Sequence, residues 1–253
     1  MVYFVGAGPG AADLITVRGQ QRLKDADVVI FAGSLVNKEL LDVCRPGCEF
    51  FDSAAMTLEE VMAAIQHAER AGKMTVRLHS GDPSLFGAIR EQMDILDTLQ
   101  IPYESVPGVS SFCAAAASLH IEYTLPSVSQ TVILTRVEGR TPVPEKEKLE
   151  SLAAHHATMV LFLSAGMAAA AQEQLLAAGY SGATSAAIVY KASWKDEALY
   201  PCTVGTLAET AAAHGIRNTA LFIIGDVVGH KDYARSKLYD PSFATGFREA
   251  SEP

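Results

Sequence analysis

Three short glycine-bearing turns, each following a predicted strand, are the parts of this chain best suited to hold a small ligand. The first spans residues 6–11 (Gly-Ala-Gly-Pro-Gly-Ala). The second spans residues 80–83 (Ser-Gly-Asp-Pro) and the third residues 106–111 (Val-Pro-Gly-Val-Ser-Ser). Open α/β sheets bind ligands at the carboxyl ends of their strands. The three turns together therefore predict one ligand-binding edge of a sheet.

The first turn formally matches the dinucleotide fingerprint Gly-x-Gly-x-x-Gly/Ala between a strand and a helix. That fingerprint also requires an acidic residue at the end of the second strand, and here the second apolar run ends in Ala32-Gly33-Ser34. Pro9 also removes one backbone N–H from any phosphate cradle. A tight turn for close backbone packing is the preferred interpretation, and a nicotinamide- or flavin-dependent oxidoreductase stays open as an alternative.

Asp82 is the side chain in these turns with the widest range of possible chemical roles. It is able to cap a following helix, hold a ribose hydroxyl or face a cationic ligand, and taken by itself helix capping is the preferred interpretation. His155 and His156 are adjacent and so do not present the i, i+4 spacing of a helical metal pair. Trp194, the single tryptophan, either stacks on a ligand or packs against a neighbouring strand, and packing is preferred.

Composition narrows the class of protein further. The 253 residues carry 20 basic and 29 acidic side chains, a net charge of −9, which argues against a nucleic-acid partner. The four cysteines, at 44, 48, 113 and 202, complete neither a zinc site nor a disulfide scaffold and suggest the reducing cytoplasm. No signal-peptide pattern and no apolar run of membrane-spanning length is present, so we expect a cytoplasmic protein without a membrane partner.

The elements that must position the turns alternate between strands and helices, which predicts an α/β fold with mainly parallel pairing. Strands are predicted at 2–5, 28–31, 49–52, 75–78, 103–106, 130–136, 159–164, 186–192, 202–205 and 220–228. Helices are predicted at 13–24, 35–44, 58–71, 86–99, 110–120 and 168–178. The character changes near Pro126, which predicts an N-terminal α/β domain over 1–124 and a C-terminal α/β domain over 125–253 that ends in a polar tail after Val228.

Taken together, four segments resemble the tetrapyrrole methylases, the S-adenosylmethionine-dependent enzymes of cobalamin and sirohaem biosynthesis. They are VGAGPGAADLIT (5–16), RLHSGDPSLFG (77–87), YESVPGVSSF (103–112) and NTALFIIGDVV (218–228). The resemblance implies two α/β domains, each with a mostly parallel or mixed sheet flanked by helices, and a cofactor in the interdomain cleft. It also implies that the first turn binds no phosphate.

Other segments resemble the branch of that family that methylates carbon 11 of precorrin-4. They are FAGSLV (31–36), RLHSGD (77–82), LPSVSQTVILTR (125–136) and KASWKDE (191–197). Ser80 and Thr219 stand where the sirohaem branch carries Gly and Pro, which weakens a uroporphyrinogen methyltransferase interpretation. A sibling methylase acting on another ring carbon stays open, as does the presence of cobalt in the substrate.

The resemblance also implies the site residues. The expected S-adenosylmethionine shell, which also holds the product S-adenosylhomocysteine, comprises Pro9, Ser80, Gly81, Asp82, Leu85, Ser110, Ser111, Leu163, Ala192, Thr219 and Ala220. The candidates for binding substrate carboxylates are Arg77, His79, Arg136 and Lys191, since a polycarboxylate ring requires local cations. Asp82 is the one candidate for a catalytic role, no metal ligand is expected, and a homodimer is implied.

Overall fold

The computed structural model describes residues 1–229 and 233–251. The chain divides into two compact units: unit 1 is Met1–Ala115 with Lys191–Glu197, and unit 2 is Ala116–Tyr190 with Ala198–Pro253. The predicted boundary lies after residue 124, whereas this division falls after Ala115, within the helix Ser111–Leu119. It also assigns residues 191–197 to unit 1. Within the predicted polar tail, residues 230–232 and 252–253 lie outside the described residues.

Unit 1 is built on a five-stranded sheet, all of whose pairs are parallel, in the order β3-β2-β4-β1-β5. The strands are β1 (Val2–Gly6), β2 (Val28–Phe31), β3 (Glu49–Asp52), β4 (Thr75–His79) and β5 (Tyr103–Val106). β1, β2 and β4 are buried along their whole length. They are covered on both faces, as expected of a parallel sheet, and their near-continuous apolar sequences follow from that burial.

The helices of unit 1 are α1 (Val17–Asp25), α2 (Leu58–Arg70), α3 (Arg90–Thr98) and α4 (Ser111–Leu119). Two of them, α1 and α3, begin four residues later than predicted. α1 begins at Val17 because the Thr16 hydroxyl caps it by accepting a hydrogen bond from Gly19 N, and only a short 3₁₀ turn precedes it. α3 begins at Arg90 because Phe86 and Ala88 adopt left-handed φ angles of 56° and 48°. The helix predicted at 35–44 is a 3₁₀ helix over Lys38–Val43.

Unit 2 contains a mixed five-stranded sheet in the order β6-β7-β10-β8-β9, in which only β6 and β7 pair in parallel. The strands are β6 (Val132–Arg136), β7 (Thr158–Phe162), β8 (Ser185–Tyr190), β9 (Ala198–Thr203) and β10 (Ala220–Ile224). The helices are α5 (Leu149–Ala153), α6 (Ala168–Ala177) and α7 (Leu207–Ala213). The α/β fold with flanked sheets is therefore confirmed, whereas the mainly parallel pairing predicted from the alternation of strands and helices holds in unit 1 and not in unit 2.

Within the described part of the chain, no helix has the length and apolar character needed to cross a membrane. The same residues contain no group of three His, Cys, Asp or Glu side chains placed to hold a metal ion.

Candidate active site

The three glycine-bearing turns meet at the carboxyl edge of the unit 1 sheet, because β1 lies between β4 and β5. Gly81 N donates to Gly8 O at 2.8 Å, and Gly8 N donates to Gly81 O at 3.3 Å. A Cβ on Gly6 would lie 2.5 Å from Gly108 Cα, and a Cβ on Gly108 would lie 2.1 Å from Gly81 O. Glycine at these positions therefore lets the three backbones come into direct contact.

Asp82 joins two of the turns through its carboxylate. Its Oδ2 accepts a hydrogen bond from Gly108 N at 2.9 Å, and its Oδ1 accepts one from Ser84 N at 2.8 Å and one from the Ser84 hydroxyl. Partial burial alone would raise the pKa of Asp82, but these hydrogen bonds outweigh it and lower the pKa below the usual 3.8. The carboxylate is thus anionic at neutral pH, and it does not cap the next helix, whose N-cap residue is Ile89.

The other predicted cofactor residues of unit 1 flank these contacts. Leu85 N donates to Asp82 O at 3.2 Å, so Leu85 belongs to the turn that Asp82 organises. Ser110 and Ser111 begin α4, and Ser110 O accepts the first hydrogen bonds of that helix. Ser80 is half-buried beside Gly81, while Pro9 and Ala192 are buried.

Trp194 covers the first turn. Its indole Nε1 donates to Pro9 O at 3.0 Å, and a Cβ on Gly10 would lie 2.1 Å from Trp194 Cδ1. Ala11 N donates to the Ser193 hydroxyl at 3.0 Å. Trp194 thus packs against the first turn rather than against a neighbouring strand, and residues 191–197 buttress the turn. A cavity of about 490 Å³ lies beside it, lined by Gly10, Ala11, Ala12, Asp13, Asn37, Glu39, Ser193, Trp194, Lys195 and Asp196.

This geometry does not favour a pyrophosphate at the first turn. Ala11 N is already bound to Ser193, and α1 begins only at Val17, after a separate 3₁₀ turn. A dinucleotide site needs free backbone amides and a helix N-terminus directed at the phosphates. The oxidoreductase alternative therefore finds no support in the structure.

Arg77 and His79, two of the predicted ligands of substrate carboxylates, are interior side chains. Arg77 is buried, and its guanidinium donates to Ile30 O at 3.1 Å and to Gln92 Oε1 at 3.2 Å. Burial lowers the pKa of Arg77 to about 10, which leaves it protonated. Burial and the nearby Arg77 charge lower the pKa of His79 to about 3, so its imidazole is neutral. Both side chains are enclosed in the interior of unit 1.

Lys191 lies at the start of the segment that buttresses the first turn. Its Nζ donates to Asp196 Oδ2 at 2.6 Å and lies 5.9 Å from the centroid of the Trp194 ring. The side chain is partly exposed, unlike Arg77. A substrate carboxylate that reaches Lys191 would replace the exposed carboxylate of Asp196 as its partner. Exposed ion pairs such as Lys191–Asp196 contribute little free energy, so this replacement costs little.

The predicted residues of unit 2 gather at one edge of its sheet. Leu163 follows β7 and Thr219 precedes β10, and these two strands pair antiparallel with Phe222 opposite Leu161. Leu163 and Thr219 both have left-handed backbones, with φ of 52° and 53°, and the Leu163 side chain is 64% exposed. Such conformations cost about 1–3 kcal/mol each and cluster at functional sites. Ala220, the first residue of β10, is buried.

Arg136 ends β6 at the same edge of unit 2. Its guanidinium donates to Thr141 O at 3.1 Å and to Pro142 O at 2.7 Å, so it orders the loop that follows the strand. The side chain therefore has a structural task besides any contact with a substrate carboxylate.

The residues proposed to hold the cofactor fit S-adenosylmethionine chemically. They offer backbone groups, the hydroxyls of Ser80, Ser110, Ser111 and Thr219, the Asp82 carboxylate, and the apolar side chains of Leu85 and Leu163. An amino-acid group, a ribose, an adenine and a sulfonium cation suit this set, which contains no Lys or Arg for a phosphate. The close backbone packing predicted for the first turn is found at Gly6, whereas sequence reasoning missed the packing roles of Gly108 and Ser193.

Replacing Trp194 by Phe is expected to weaken S-adenosylhomocysteine binding about three- to tenfold. The change removes the hydrogen bond to Pro9 O, whose loss typically costs on the order of 1 kcal/mol, while the ring still covers Gly10. Isothermal titration calorimetry measures the effect. An unchanged dissociation constant would show that ring packing alone holds the turn.

A family model described as Tetrapyrrole (Corrin/Porphyrin) Methylases matches residues 1–208. A Methanocaldococcus jannaschii protein named cobalt-precorrin-4 C(11)-methyltransferase is 50% identical over 98% of this chain and 96% of its own length.

Two solved structures are also similar. One, titled as the cobalamin biosynthetic enzyme cobalt precorrin-4 methyltransferase, has a TM-score of 0.88 and 46% identity, and the match covers 90% of this chain and 95% of that one. The other is uroporphyrin-III C-methyl transferase from Thermus thermophilus in complex with S-adenosylhomocysteine, with a TM-score of 0.75 and 29% identity. That match covers 90% of this chain and 92% of the other.

Proposed function

The chain belongs to the tetrapyrrole (corrin/porphyrin) methylases, and we propose that it transfers a methyl group from S-adenosylmethionine to carbon 11 of precorrin-4 or cobalt-precorrin-4. The observation that carries this proposal is the 50% identity to a cobalt-precorrin-4 C(11)-methyltransferase over nearly the full length of both chains. A sibling methylase acting on another ring carbon is less well supported, since the uroporphyrin methyltransferase structure is only 29% identical.

S-adenosylmethionine, when bound, supplies a methyl group on a sulfonium whose sulfur leaves as a neutral thioether. The protein must then align the methyl carbon with the carbon that attacks it and exclude water. No protein nucleophile is needed for this reaction. We assign the binding of the cofactor in unit 1 to the turns that carry Pro9, Ser80–Asp82, Leu85, Ser110 and Ser111, together with Ala192. The anionic Asp82 is suited to stabilise a nearby cation, and its hydrogen bonds hold it in place.

In unit 2 we assign cofactor contacts to Leu163, Thr219 and Ala220. The left-handed backbones of Leu163 and Thr219 are strained conformations of the kind found at binding sites, and the exposed Leu163 side chain offers an apolar surface for a base. The Ser164 hydroxyl supports this geometry, since it accepts a hydrogen bond from Val137 N at 2.9 Å and donates to Phe162 O at 2.7 Å.

The substrate carries several carboxylates, and its binding requires cations on a chain of net charge −9. We assign this role to Arg136 and Lys191, whose side chains are both partly exposed. The guanidinium of Arg136 offers planar bidentate geometry, although two of its nitrogens are engaged with loop carbonyls. The proposal further includes a homodimer acting in the cytoplasm.

The decisive experiment incubates the purified protein with methyl-labelled S-adenosylmethionine and, in separate reactions, with precorrin-4 and cobalt-precorrin-4. We expect the mass of one methyl group to be added to at least one of the two tetrapyrroles, with the label at carbon 11 in the NMR spectrum. The relative rates of the two reactions decide which form is preferred. Methylation at another carbon would assign the chain to a sibling activity, and no methylation of either would refute the proposal.

A further inference from the structure

Arg77 is a buried cation without a carboxylate partner. It lies in the middle of β4 with 7% of its surface exposed, and no ion pair involves it among the described residues. A buried charge is costly unless it is hydrogen-bonded, so a neutral partner must repay part of that cost. Two neutral groups accept from Arg77: the backbone oxygen of Ile30 and the side chain of Gln92, itself 5% exposed on the first turn of α3.

The contact with Arg77 determines how the Gln92 amide is oriented. A guanidinium only donates hydrogen bonds, so the amide oxygen of Gln92 must face Arg77 and the amide nitrogen must face away. That nitrogen donates to Ala88 O at 2.9 Å. The three residues thus form a directed chain from the centre of the sheet to the segment that precedes α3.

This series of hydrogen bonds ends at a strained segment of backbone, residues 86–88. Ala88 and Phe86 both have left-handed φ angles, and a Cβ on Gly87 between them would lie 2.1 Å from Pro83 O. No side chain caps the N-terminus of α3. Non-glycine residues keep such conformations only where the surroundings enforce them, and the Gln92 hydrogen bond to Ala88 O is one such restraint.

We propose that Arg77 and Gln92 are positioning residues that hold the turn over Asp82–Ala88 in its cofactor-binding conformation without touching the cofactor. This inference rests on the proposed function, since it takes Asp82 and Leu85 as parts of the S-adenosylmethionine site. Release of Ala88 O lets Phe86–Ala88 relax toward ordinary backbone angles and displaces Leu85 and Asp82, which lie in the same turn.

The test separates positioning from stability with two variants. Gln92→Met leaves the Arg77 guanidinium buried with one partner lost, and Arg77→Met/Gln92→Met removes both polar groups and restores an apolar contact. Replacing a buried polar network by apolar side chains of similar volume is often neutral for stability. We therefore expect the melting temperature to fall in the single variant and to recover in the double variant.

Cofactor binding is expected to behave differently. The dissociation constant of S-adenosylhomocysteine, measured by calorimetry, should rise roughly tenfold in both variants, about 1.4 kcal/mol, because neither can donate to Ala88 O. The KM for S-adenosylmethionine should rise with little change in kcat. Recovery of affinity together with stability in the double variant would overturn the proposal, and so would unchanged affinity in Gln92→Met.

A matched control lies in unit 2. Gln172 Oε1 accepts a hydrogen bond from Ala208 N at 2.9 Å, so Gln172→Met also removes a side-chain amide bond to the backbone. This variant should lose stability and keep wild-type affinity. Failure of the wild-type protein to bind S-adenosylhomocysteine at all would refute the proposed function instead, so the two failures are distinguishable.

Discussion

Gly108→Ala is expected to weaken cofactor binding on the order of a hundredfold or more, about 3 kcal/mol. The new Cβ would lie 2.1 Å from Gly81 O and 2.7 Å from Gly6 Cα, and both obstacles are backbone atoms. The turns after β1, β4 and β5 would have to separate, which also breaks the hydrogen bond from Gly108 N to Asp82. Overpacking of this kind typically destabilises a fold by about 1–3 kcal/mol.

Calorimetry with S-adenosylhomocysteine and urea denaturation measure the two effects of this substitution. Gly182→Ala is the control, because a Cβ there makes only ordinary contacts, the nearest at 3.8 Å from Gly205 Cα. The control should retain both affinity and stability. Wild-type affinity in Gly108→Ala would show that close contact of the three turns is not needed for binding.

Asp82→Asn is expected to lower kcat/KM for S-adenosylmethionine between tenfold and a hundredfold. The substitution keeps the shape of the side chain but removes its charge, and it replaces an acceptor oxygen by an amide nitrogen opposite either Gly108 N or Ser84 N. Two N–H donors would then face each other, and the partly buried donor that loses its acceptor stays unsatisfied at a cost of about 1–3 kcal/mol. Steady-state kinetics measures the loss, and Asp82→Ala should be at least as impaired.

The lowered pKa of Asp82 also predicts how the stability of the fold depends on pH in acid. Its folded pKa is lowered below the 3.8 of the free side chain, so the ionised carboxylate stabilises the folded state fully above that value. This contribution is lost as the pH falls through the lowered folded pKa. The stability difference between the wild type and Asp82→Asn should thus be constant at neutral pH and shrink below about pH 4, in denaturation curves recorded across that range. A pH-independent difference would contradict an anionic Asp82.

The sequence by itself determined the strands of unit 1 and the turns that end them. Apolar runs leave few alternatives to buried strands at β1, β2 and β4, and β2 matches its predicted range. The more polar and partly exposed β3 and β5 also match their predicted ranges. The capping box at Thr57 and Glu60 likewise located the start of α2. These signals are local, because propensity, periodicity and capping act over a few neighbouring residues.

Tertiary structure alone decided which side chains meet at the proposed site. β4 is buried on both faces, so its pattern carried no information about where Arg77 and His79 point, and both proved to be interior groups. The partner of Pro9 lies 185 positions away, at Trp194. The left-handed residues before α3 broke a favourable helical pattern because the packing around Gly87 and the Gln92 amide hold them there. Contacts between distant segments set these features, and local sequence preference does not encode such contacts.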